Sequence, residues 1–122
     1  MEAQIYDPSG HLWLEKLSAI QSDIPDYAEW RISDLIDCFL RYHDLLLLLA
    51  EQPQYRDGCA NLLRHSGFIQ KCILETRKAN PWAPFTRAAY ELHRDIEQLK
   101  TVILDVVSAD EMQPAGALAL SI

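Results

Sequence analysis

The sequence predicts an all-α protein, an antiparallel bundle of four to five helices. Three observations carry that expectation. Apolar residues recur at steps of three and four in every long segment, and no stretch alternates as a half-buried strand would. Prolines at 25, 53 and 81 fall between those segments. The connections are short, which makes sequential helices antiparallel neighbours. A chain of 122 residues is one domain by length and buries roughly two-thirds of its unfolded surface. With 49% hydrophobic and 24% charged residues, it has a globular rather than a disordered composition.

Helix 1 is expected over residues 10–22, with Trp13, Leu17 and Ile20 on one face and Leu14 beside them. "SDIPDYAE" makes a turn. Asp26 and Glu29 have the spacing of a capping box, which starts helix 2 at Tyr27 and lets it run to Gln52, where Pro53 stops it. A third segment covers Gln54 to Ala79. Tyr55, Cys59, Leu62, Leu63 and Ser66 share one face, followed by Ile69, Cys72, Ile73 and Thr76. Gly67 separates the two sets and predicts a break or kink, because glycine inside a helix costs ~1 kcal/mol against alanine. "NPWAPF" reads as a rigid connection that holds Trp82 between two prolines. Helix 4, Phe85 to Ser108, carries the cleanest stripe: Phe85, Ala89, Leu92, Ile96, Leu99, Ile103 and Val106. Residues 1–108 form the bundle domain and residues 109–122 a C-terminal tail.

Helix 2 contains five consecutive leucines, Leu45 to Leu49, more than one core-facing stripe can use. On a helical wheel, Asp34, Asp37, Arg41, Asp44 and Glu51 form a solvent stripe. Ile32, Leu35, Phe39, Leu46 and Ala50 lie opposite. Ile36, Leu40 and Leu47 widen the apolar arc on one side, and Cys38, Leu45 and Leu49 on the other, to roughly 220°. Trp30 and Leu48 interrupt the acidic stripe about 27 Å apart, as apolar anchors at either end. A helix 1 of about 20 Å, joined by a short turn, covers only the first half of a helix 2 of about 39 Å. The second half then needs another cover, either the tail with Leu118, Leu120 and Ile122 or a second protein.

Net charge is −7. Residues 1–53 hold ten acids and three bases (3 − 10 = −7), whereas residues 54–122 hold eight of each. Phosphate backbones attract the opposite sign, so direct nucleic-acid binding is disfavoured and a basic protein surface is favoured. Cys38, Cys59 and Cys72 are odd in number and sit among apolar residues, as reduced thiols do. "MEAQIYDPSG" has no basic or apolar region of a secretory signal, and the leucine run is too short and too charged to span a bilayer. A cytoplasmic protein with no membrane contact is expected.

His11, His43, His65 and His93 fall one to a segment, and His11/Glu15 and His93/Glu97 have i, i+4 spacing. The wheel scatters these histidines over different faces, and the Glu-x-x-His of di-iron bundles is missing. No metal and no cofactor are therefore expected. Nucleophile elbows, phosphate loops and Cys–His catalytic motifs are likewise missing. Arg87-x5-His93, "RAAYELH", resembles the arginine–histidine signature of HEPN-type ribonucleases, helical bundles that dimerise to join two such motifs. That resemblance implies RNA cleavage by Arg87 and His93 in a dimer.

The main expectation is different. A small acidic bundle without a catalytic set fits a non-enzymatic protein-binding module that masks a basic surface of its partner. Inhibitors, immunity proteins, antitoxins, anti-defence proteins and chaperone-type proteins work in this way. The expected contact residues are Trp30, Asp34, Asp37, Arg41, Asp44, Leu48 and Trp82, the last as a proline-braced aromatic. Self-association as a homodimer is a second arrangement that the leucines allow.

Overall fold

A computed structural model describes residues 10–25, 31–76 and 82–121, with side chains through residue 108. Four helices follow in order: α1 (His11–Asp23), α2 (Ile32–Ala50), α3 (Pro53–Glu75) and α4 (Trp82–Ser121). This is the all-α bundle the periodicity predicts. α2 and α4 each touch the other three helices, whereas α1 and α3 lie on opposite sides and do not touch.

Each boundary has a local cause. Gly10 precedes α1 with φ 72°, in the left-handed region, and its carbonyl accepts the Leu14 N–H at 3.0 Å. A Cβ built on Gly10 would stand 2.6 Å from Ile103 Cγ2, so both backbone angle and close packing on α4 select glycine there. Arg31 is non-helical at φ −86°, ψ 83°, so α2 begins at Ile32 rather than at Tyr27. The proposed Asp26/Glu29 capping box lies outside the described residues. Only Glu51 and Gln52 separate α2 from α3, and Pro53 opens α3 at the position where a missing N–H costs nothing.

Two expected interruptions are not found. α3 runs unbroken through Gly67, whose Cα faces open space. Leu62 before it and Ile69 after it are buried in the same core, so tertiary packing outweighs the ~1 kcal/mol propensity cost. Nor is "NPWAPF" a loop throughout: α4 starts at Trp82, with Pro84 in its first turn, where helices tolerate proline. At its other end α4 continues to Ser121, beyond the expected stop at Ser108.

The position of α1 corrects the expectation about the leucines. Asp23, the last residue of α1, meets Arg41 in the middle of α2 at 2.9 Å. Trp13 and Ile20 share a groove with Leu45 and Leu48. α1 therefore lies on the second half of α2, beside Leu45. The cause is the connection: with α2 starting at Ile32, residues 24–31 are long enough to carry α1 half-way along its neighbour. On the far side, Gln21 donates to Glu97 Oε2 at 2.6 Å and accepts from Lys100, which fastens α1 to α4.

The core runs along the bundle from Phe85, Leu35 and Ile73 to Leu49, Tyr55 and Ile103. On α2 it is made by Leu35, Cys38, Phe39, Tyr42, Leu45, Leu46 and Leu49. Its centre is rotated toward α1 relative to the expected face. Leu40 and Leu47 are left 52% and 45% exposed on the α3 side, so the apolar arc is not buried over its whole width. Buried hydroxyls of α3 and its C-cap bond to the preceding turn: Ser66 donates to the Leu63 carbonyl and Thr76 to that of Ile73.

Gly67→Ala should raise stability by ~0.5–1 kcal/mol, as helix propensity with no clash. Gly58→Ala should lower it by ~1–3 kcal/mol, because the new Cβ meets Val102 Cγ1 at 2.5 Å. Urea unfolding of both variants checks the opposite signs. Trp13→Ala and Leu45→Ala should be coupled by ~0.5–3 kcal/mol in a double-mutant cycle if α1 covers this leucine. Simple additivity of the two losses would remove α1 from that role.

Candidate functional site

The acidic stripe is real in geometry, but it is not a row of free carboxylates. Arg41, half-buried, reaches from α2 toward α1. Its Nη2 donates to Asp23 at 2.9 Å, and its Nε stands 3.0 Å from Asp37, close enough for an ion pair but not aligned as a hydrogen bond. The hydrogen bond from Arg41 to Asp23 is the main cause holding the guanidinium pKa above its ordinary value. Arg31 pairs with Asp34 at 3.0 Å. Together with Ser22, Ile24 and Cys38 these residues line a polar cleft of about 420 Å³. Burial pushes the Cys38 thiol up in pKa, against the nearby Arg41, so it stays a neutral thiol in the cleft floor.

A second groove adjoins the first. Trp13, Lys16, Ala19, Ile20, Arg41, Asp44, Leu45 and Leu48 line about 340 Å³ of mostly apolar space between α1 and α2. Arg41 belongs to both, so a polar and an apolar depression lie end to end along one seam. Of the expected contact residues, Asp34, Asp37, Arg41, Asp44 and Leu48 line this seam, with Leu48 40% exposed. Trp82 does not. It opens α4, half exposed, and lines neither groove. Trp30 lies outside the described residues. The seam residues that sequence reasoning missed are Asp23, Arg31 and the α1 side chains, because they come together only once α1 is placed.

The histidines are distributed less evenly than the wheel suggested. His11 pairs with Glu15 at 3.5 Å on the surface, and His43 stacks on Phe39 with ring centroids 5.6 Å apart. The HEPN-like pair is not brought together within the chain. Arg87 lies over the Phe68 ring at 5.7 Å and near Glu91, while His93 lines a shallow groove with Ile24 and Pro25.

His65 is the exception. Its Nδ1 is 2.6 Å from Asp95 Oδ2, and its Nε2 is 3.4 Å from Glu91 Oε1. Glu91 and Asp95 are one helical turn apart on α4 and nearly buried, at 7% and 3% exposure. Burial raises the Asp95 pKa, and the hydrogen bond from His65 only partly offsets it. This cluster was not legible as a motif, since the spaced pair on α4 is acid with acid and its histidine comes from α3.

Arg41→Ala should test how much the polar seam adds to the fold. Its partners are solvated, so stability should fall by no more than ~1 kcal/mol in a thermal melt, and less in high salt. A larger loss would make Arg41 a structural residue first.

Compared with protein-family models, curated proteins and solved structures, the chain matches none, so its function has to be read from its own side chains.

Proposed function

We propose that this chain is a non-enzymatic protein-binding module whose α1–α2 seam engages a basic surface of a partner protein, in the manner of an acidic inhibitor, immunity protein, antitoxin, anti-defence protein or chaperone. The observation that supports this most is the placement of charge. All of the net −7 belongs to residues 1–53, and the two helices of that half are packed side by side. They carry Asp23, Asp34, Asp37 and Asp44 along one seam, beside a groove with the half-exposed Leu48.

The arginines refine how such a seam works. Arg31 and Arg41 hold Asp34, Asp37 and Asp23 in fixed places, which reduces the entropy a partner's lysine or arginine must overcome on docking. The acids attract over ~8–10 Å and guide encounter, while the adjoining apolar groove gives a desolvated anchor. Specificity then comes from requiring a basic group and an apolar side chain at matched spacing.

The test uses a partner isolated from the native host on the immobilised chain. Asp34→Lys, Asp37→Lys and Asp44→Lys combined should slow association at least about tenfold and flatten its salt dependence, with the helical melt preserved. Leu48→Asp should speed dissociation instead. A partner that binds the triple variant as fast as the wild type would reduce the seam to a solvated face.

A further inference from the structure

On the opposite side of the bundle, α3 and α4 present a second cluster with its own cleft. His65, Glu91 and Asp95 each offer one ligand-type atom, and these atoms lie within 4.8 Å of one another. We propose that His65 Nε2 and Glu91 bind a divalent transition-metal cation of the zinc class, with Asp95 holding the far side of the imidazole and the remaining coordination positions left to water.

The spacing supports this directly. Donors bonded to zinc at ~2.0–2.2 Å stand about 3.4 Å apart along a tetrahedral edge. His65 Nε2 and Glu91 Oε1 are already 3.4 Å apart. Asp95 holds the Nδ1 side of the ring at 2.6 Å, which turns Nε2 toward Glu91 and fixes the tautomer a metal needs. An imidazole nitrogen with a carboxylate oxygen is a donor pair suited to first-row cations rather than to calcium.

The surroundings point the same way. Tyr42 of α2 is fully buried, and its hydroxyl has no hydrogen-bond partner among the described residues. Asp95 is close enough to act on it electrostatically, so an uncompensated donor stands in the same interior as that carboxylate. Gly58, Asn61, Leu62, His65, Arg94, Asp95 and Gln98 line a cleft of about 590 Å³ through which an ion and its waters can enter. Arg87 and Arg94 compete for Glu91, yet each approaches only to 3.6 Å and is more than half exposed. Either can move into solvent as a cation arrives, at small cost.

Zinc chloride alone, titrated into the full chain, tests the site. One equivalent should bind, and His65→Gln and Glu91→Gln should each weaken binding at least about tenfold. His11→Ala, which removes the exposed His11–Glu15 pair, should leave it unchanged. Because either core substitution can unsettle the fold, histidine ring ¹⁵N resonances of the wild type give a second readout. On adding zinc, those of His65 should shift while those of His11, His43 and His93 stay. No uptake by the wild type, or uptake that follows His11 in place of His65, would overturn the proposal.

Discussion

The leucine run of α2 sets the constraint from which the remaining arrangement follows. Five consecutive leucines project over more than a full turn, so no single neighbour can bury them all. α3 is tied to one end of α2 by two residues and lies along one flank. The opposite flank, with Leu45, must then be closed by α1, and a helix of 13 residues reaches it only if its connection lets it slide past the start of α2. The Asp23–Arg41 pair and the Gln21 bonds to Glu97 and Lys100 fix that offset from both sides. Because they are polar and partly solvated, they fix register more than they add stability. Stability comes from Trp13, Leu17 and Ile20 entering the core.

That same offset creates the seam. Had α1 ended level with the start of α2, Asp23 would lie far from Arg41, and Trp13 far from Leu48. Sliding α1 along α2 places the acidic end of α1 beside the acidic middle of α2, where like charges need compensation. Arg31 and Arg41 supply it by pairing with Asp34, Asp37 and Asp23.

The helical class, the α1, α3 and α4 stripes and the break after α2 at Pro53 are legible because they depend on local periodicity and on proline's missing N–H. Gly67 was misread because propensity is weak against a core that continues on both sides of it. The capping-box spacing of Asp26 and Glu29 points to an earlier start of α2 than Ile32, because local spacing carries no information on the connection length that α1 requires. Leu40 and Leu47 look as core-like as Leu45 in sequence, and only the position of α1 decides which flank is buried. His65 was missed for a related reason. Its partners are 26 and 30 residues away on another helix, and only antiparallel register places them opposite it.

The two candidate sites occupy different pairs of helices. α1 and α3 do not touch, so the α1–α2 seam and the α3–α4 cluster communicate only through α2 and α4. Tyr42 lies on that route: it belongs to α2, on the side of the helix away from Asp44, and Asp95 and Cys59 act on it electrostatically. Rigid, close-packed cores transmit small shifts poorly unless some element has two arrangements. Nothing in the packing of Tyr42, Leu46 and Leu92 offers a second one, since all three are fully buried in a continuous core. The physical expectation is therefore independence. Charge reversal on the seam leaves the cluster on α3 and α4 intact, and loss of the cluster leaves the seam's geometry intact, which is the condition under which each site can be assigned its own role.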